Sequence, residues 1–311
     1  TFDDTDTDMQ PDLVWIKNRD ATDSHCLFDA VRGATKLLIP DTNAAEATDA
    51  DTVDSFASDG FQVDADVKVN TDGEAYASWN WKAGTTSGIS GGTITPSSYS
   101  INTTSKFGIY AYTGNSTAGA TIAHGLGSAP GWYVAKRLNS TASWSTYHKG
   151  LGATKVMRMD TTVAVSDTDA YFNDTEPTST VFSFGADADL NNSSGTYVCY
   201  AWSEVQGYSK FGSYTGNGNA DGTFVYTGFR PAFLIIKLTG GTDSWMLMDS
   251  KRLGYNPFTH QFFADGNNAE YTTTNADWCD LLSNGFKIRD TDAGRNGSGS
   301  NYIFMAFAEA P

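Results

Sequence analysis

Three patterns of apolar and polar residues return in the same order along the chain. The first opens on a proline and ends on a lysine: Pro11 to Lys17 (PDLVWIK), Pro130 to Lys136 (PGWYVAK) and Pro231 to Lys237 (PAFLIIK). Each is a short apolar run with proline at its entry, where a missing N–H costs a β-ladder nothing, so each predicts a strand. The second follows at a similar offset: Ser24 to Asp29 (SHCLFD), Ser143 to His148 (SWSTYH) and Ser244 to Asp249 (SWMLMD). The third closes the set: Tyr76 to Trp81 (YASWNW), Tyr197 to Trp202 (YVCYAW) and Tyr302 to Phe307 (YIFMAF). Here aromatic and aliphatic residues recur with period two, the spacing of a strand buried on one face and partly covered on the other.

A further pair of blocks, Ser105 to Gly108 with Tyr112 to Asn115 and Ser209 to Gly212 with Tyr214 to Asn217, opens the second and third sets. No such opening precedes Pro11. The pattern therefore predicts an all-β chain of three tandem antiparallel β-sandwich repeats. They divide as module one over 1–84, lacking its opening strands, a Gly/Ser/Thr-rich linker over 85–104, module two over 105–206 and module three over 207–311. Asp59-Gly60, Asn217-Gly218 and Asn284-Gly285 mark turns. Short helical turns are expected only at 43–50 and around 277–283. An unpaired edge invites association, so the open start of module one is expected to be covered by an upstream segment or another subunit.

Composition narrows the function. Lys and Arg number 20 against 36 Asp and Glu, a formal charge of −16, and such a field repels phosphate backbones, which argues against nucleic acid. No apolar run is long enough to span a bilayer and the start is acidic, so a soluble chain without a targeting signal is expected. Cys26, Cys199 and Cys279 sit in strand-like apolar settings and read as buried free thiols.

Long blocks of the chain resemble a module found in tandem in virion proteins of tailed bacteriophages, particularly marine ones: Pro11 to Arg32, Ile122 to Pro130, Tyr197 to Gly216, Phe224 to Lys237 and Tyr302 to Glu309. That family is similar in outline to concanavalin-like lectin or jelly-roll sandwiches. The resemblance implies a tail-fibre or head-fibre protein of the virion that attaches to a host surface or its glycans. It also implies other virion subunits as partners and a homo-oligomer, for a fibre a trimer. It carries no catalytic residues.

Two constellations are candidates for ligand chemistry. Asp64, Asp66 and Asn70, then Asp187, Asp189 and Asn191, then Asp290, Asp292 and Asn296 repeat ahead of the closing tyrosines. Hard oxygen donors at this spacing suit Ca²⁺, while the plainer role of Asp and Asn is to turn the chain. Trp144 with His148 and Trp245 with Asp249 fall on one strand face each, an arrangement that would stack and hydrogen-bond a sugar, or else plug a core. His124 reads as a loop residue bonded to backbone. The enzymatic reading is weak: Glu204 and Glu309 are equivalent carboxylates in different modules, and neither a His-Glu-x-x-His helix nor a P-loop is present.

Overall fold

The computed structural model describes residues 9–84, 88–273 and 277–310. Among these the chain is all-β, with antiparallel sheets and single-turn helices, and no helix is long and apolar enough to cross a membrane. Three large sheets share one strand order. In the first, Leu13–Asn18 lies between Cys26–Asp29 and the closing strand Tyr76–Trp81, with Gly33–Leu38 and Ala47–Thr48 beyond. The second repeats this with Trp132–Arg137 between Ser145–His148 and Thr196–Trp202, and continues through Phe107–Thr113 to Ser98–Asn102. The third places Phe233–Leu238 between Met246–Asp249 and Asn301–Phe307, with Ser209–Thr215 at its edge. Proline precedes each central strand as the sequence predicted.

Alternation along the closing strands divides each sheet into two faces. Val198, Tyr200 and Trp202 point to one core, and Tyr197, Cys199 and Ala201 to another. The first of these cores is common to all three sheets, uniting Trp15, Trp79 and Trp81 with Trp132, Trp144 and Trp202 and with Phe233, Trp245 and Phe307. The other faces are covered separately by small sheets: the hairpin Val53–Ala57 with Gly60–Val63, the pair Ala120–Ala123 with Val181–Phe184, and the three strands Phe224–Tyr226, Gly285–Ile288 and Cys279–Leu282. These layers are β-sandwiches with a shared inner wall.

The register fixes which residues correspond: Leu13 pairs with Trp81, Trp132 with Trp202 and Phe233 with Phe307. Trp81, Trp202 and Phe307 then meet one another at centroid distances of 6.0, 5.8 and 6.3 Å, each pair edge to face. Three corresponding rings in mutual edge-to-face contact mark an approximate three-fold axis, an arrangement their quadrupoles favour. Corresponding backbone bonds close the circle around it. The Glu46 amide donates to Leu138 O at 2.9 Å, Val165 to Thr239 O at 3.0 Å and Glu270 to Arg19 O at 2.8 Å, so the third unit returns to the first.

Some local expectations need correction. The Gly/Ser/Thr-rich stretch 85–104 is not a free linker: Ser98–Asn102 is an edge strand of the second sheet, Ile94 bridges to Ile122, and Ile94 and Ile101 are buried. Small residues there pass close over a neighbouring strand, since a Cβ on Gly92 would lie 2.7 Å from Thr121 O. The helical turns expected at 43–50 and 277–283 are instead the strands Ala47–Thr48 and Cys279–Leu282. The acidic start through Asp8 lies outside the described residues.

Candidate functional site

The residues picked out for glycan binding face inward. Trp144, Trp245 and His148 are fully buried and Asp249 is 5% exposed, so no ring face is left for a sugar. Their spacing was read correctly as one strand face, but that face is the common core. Each ring at the first of these positions ties its sheet to the preceding one through a corresponding carbonyl. Trp144 Nε1 donates to Ile39 O at 3.2 Å, Trp245 Nε1 to Arg158 O at 3.0 Å, and His25 Nε2 to Phe263 O at 3.1 Å. Their amides are held alike, by Asp160, Asp265 and Asp41. His25 differs from the tryptophans in needing a donor on its other nitrogen, which Trp15 Nε1 supplies at 2.9 Å.

Asp249 and its counterpart Asp29 each combine a buried ion pair within their own unit with a hydrogen bond from a neighbouring one. Arg252 joins Asp249 to Glu270, Arg32 joins Asp29 to Glu46, and each aspartate also accepts a bond from the neighbouring unit, from Trp79 Nε1 at 3.1 Å or the Tyr200 hydroxyl at 2.6 Å. The second unit replaces this pair with His148, whose Nε2 donates to Phe304 O while Nδ1 accepts from the Gly150 amide.

The proposed calcium ligands are helix caps and bolts. Asp66, Asp187 and Asp292 are the N-caps of the helices Val67–Asn70, Ala188–Asn191 and Ala293–Asn296, each accepting an amide two residues on. These three correspond, which displaces the alignment the sequence suggested by two residues in the second copy. Asp189 falls inside its helix, Asp290 pairs with Arg295 at 2.7 Å and Asp64 is exposed. Asn191 and Asn296 spend their amides on backbone: Oδ1 accepts from Asn115 and Asn217, and Nδ2 donates to Thr117 O and Gly185 O or to Asn219 O and Asp290 O. Gly114 and Gly216 let the loops in, since a Cβ on either would stand 2.5 Å from a carbonyl oxygen of the helix end. The closing tyrosines clamp the same turns: the hydroxyls of Tyr76, Tyr197 and Tyr302 accept from Thr71, Asn192 and Gly297 amides and donate to Val67, Ala188 and Ala293 carbonyls. Among the described residues no group of three or more His, Cys, Asp or Glu converges as a metal site.

The buried lysines and His124 are also satisfied internally. Lys17, Lys136 and Lys237 place their ammonium groups on backbone carbonyls, Lys136 reaching Asn43 O and Lys237 reaching Thr162 O in neighbouring units. Burial pushes all three down to about 8. His124 bonds Thr178 O and the Leu126 amide, the backbone role expected. The three cysteines are free and buried, and desolvation raises their thiols out of reactive range. No Gly-x-Ser-x-Gly elbow was expected from the sequence; the spacing does occur at Gly88 to Gly92, but Ser90 lies in irregular chain and not on the strand-to-helix turn a nucleophile elbow requires.

An exposed cleft opens where the second unit passes into the third. Glu204, Val205, Gln206, Gly207, Ser209 and Lys210 form one wall of an open cleft of about 370 Å³, and Tyr226, Thr227 and Gly228 the other. Tyr226 is 66% and Phe224 43% exposed, side by side on strand Phe224–Tyr226 while Val225 between them enters the core. Pairing of Val225 with Phe286 and of Ile122 with Phe182 shows that the second unit carries Thr121 and Ala123 at these places. Glu204 is held by Lys149 at 2.6 Å and by the Phe211 amide, which fixes the acidic wall. An exposed aromatic face opposite a carboxylate, an amide and an ammonium group is the arrangement that stacks and hydrogen-bonds a saccharide. The alternation of Phe224 and Tyr226 about Val225 was the sequence signal for it.

A family model described as Domain of unknown function (DUF7483) matches residues 3–311. No curated protein and no solved structure gives a significant match.

Proposed function

We propose that this chain, which belongs to the DUF7483 family, is a structural virion appendage protein of a tailed bacteriophage, a tail or head fibre component that attaches to host-surface glycans. The observation that carries the reading is the closed ring. The inner faces of the three sheets share one aromatic core, and an exposed cleft beside Tyr226 opens where the second unit passes into the third. A rigid body with a shallow aromatic rim site suits adhesion, where weak sites are multiplied by the number of copies on a particle. The phage assignment rests on the sequence resemblance.

Adsorption of the purified protein to host cells and to a glycan array tests this. Wild type is expected to bind a saccharide, and Tyr226→Ala to lose binding at least about tenfold with an unchanged melting transition. Binding unaltered by Tyr226→Ala refutes the cleft. No binding to any host surface refutes adhesion and leaves capsid or tail decoration as the reading.

A further inference from the structure

Among the described residues the first unit has an unfilled seam. In the second and third units one continuous segment, 107–123 or 209–226, runs along the closing strand, turns at Thr-Gly-Asn and enters the small sheet. Nothing among the described residues takes that path in the first unit, so Tyr76–Trp81 and Gly60–Val63 each have one strand partner. The Asp12 amide bonds Trp81 O and the Arg19 amide bonds Ala75 O, so the N–H and C=O groups of Tyr76, Ser78 and Asn80 point to the unpaired side.

The lining of this seam keeps the residues that the segment covers elsewhere. Tyr197 and Tyr302 are fully buried, as are Phe182 and Phe286 and the pair Phe184 and Ile288. Their counterparts Tyr76, Phe61 and Val63 are apolar and only half-buried. Asn70, at the place of the bolts Asn191 and Asn296, is exposed. Ser78 and Asn80 stand where the other closing strands carry Cys199 and Ala201 or Phe304 and Ala306, and they hydrogen-bond each other on the surface. Polar residues of this kind keep an empty edge soluble.

We infer that this seam is a docking site for a strand-turn segment of the Phe-Gly-x-Tyr-Thr-Gly-Asn type supplied by another polypeptide segment, which pairs antiparallel with Tyr76–Trp81, seats its Gly-Asn turn on Asn70 and continues along Gly60–Val63. Backbone pairing supplies the affinity, and the half-buried Tyr76, Phe61 and Val63 supply the register.

A synthetic peptide of residues 209–226 is the probe, added to the intact protein and followed by hydrogen exchange. In the free protein the Ser78 and Asn80 amides exchange fast; with peptide they slow by roughly tenfold or more. Gly216→Val in the peptide abolishes this protection, because its Cβ meets the helix-end carbonyl. Asn70→Ala in the protein weakens binding without altering the melting transition. Amides already protected in the free protein, no slowing on adding peptide, or equal protection by the Gly216→Val peptide would each overturn the proposal.

Discussion

Mild acid should loosen the ring at two identifiable rings. His25 and His148 are fully buried, and burial, reinforced by Lys17 and Arg252 near the first and Lys149 near the second, pushes them down to about 3 and about 4. Glu204 opposes the shift at His148, as the Phe263 and Phe304 carbonyls do at their respective rings. Both rings donate from Nε2 to a carbonyl and accept at Nδ1, from Trp15 or from the Gly150 amide. A proton on Nδ1 therefore sets donor against donor. The unfolded chain binds this proton below about 6.5 and the folded chain does not, so stability is lost as pH falls from about 6.5 towards 4 and 3. The gap at His148 corresponds to about 3 kcal/mol and that at His25 to about 5 kcal/mol. Buried carboxyls such as Asp41 and Asp265, raised by desolvation, act in the opposite direction, so the comparison must be between variants. The second and third units supply the variant: where the first carries Trp15 and His25, they carry Val134 and Trp144 or Ile235 and Trp245. Urea unfolding followed by tryptophan fluorescence between pH 7.5 and 4 should show the wild type losing stability more steeply than the double variant Trp15→Val/His25→Trp. Parallel curves would refute the reasoning.

Other consequences are open to measurement. Trp144→Phe leaves the Ile39 and Thr42 carbonyls without their ring donor and should cost about 1–3 kcal/mol in chemical denaturation. Asn296→Ala, which strips a buried bolt of its amide and carbonyl contacts, should destabilise by about 3 kcal/mol, whereas Asn70→Ala at the corresponding exposed place should stay within about 0.5 kcal/mol. Tyr302→Phe removes the clamp hydroxyl between the Ala293 carbonyl and Gly297 amide and should cost about 1–2 kcal/mol. A chelator should leave the melting temperature unchanged, since one aspartate of each pair caps a helix; a fall would restore the calcium reading.

The strands were legible because period-two patterning and an entry proline are local signals. The use of each face was not. Nothing within Ser143 to His148 says that Trp144 points to a core shared with residues from two distant stretches, because that wall exists only when three sheets converge. The same limit hid the roles of Asp187 and Asn191: a cap two residues from its amide is local, but the loop that Asn191 grips is recruited from Asn115 and Thr117. The stretch 85–104 was misread because glycine and threonine suit a linker and a close crossing over Ile122 equally well. Tyr226 was recoverable from alternation alone, though only the fold shows that it faces a cleft.

A trimer of identical chains must accept every substitution three times over. Here the corresponding positions lie on one polypeptide, and they have diverged singly: position 25 is a histidine where 144 and 245 are tryptophans, 148 is a histidine where 29 and 249 are aspartates, and Tyr226 stands where the second unit has Ala123. Tandem linkage on one chain lets one sector carry an exposed aromatic cleft and another, among the described residues, an unpaired edge, while the aromatic axis formed by Trp81, Trp202 and Phe307 keeps all three in step. Asymmetric function can thus evolve inside a symmetric frame.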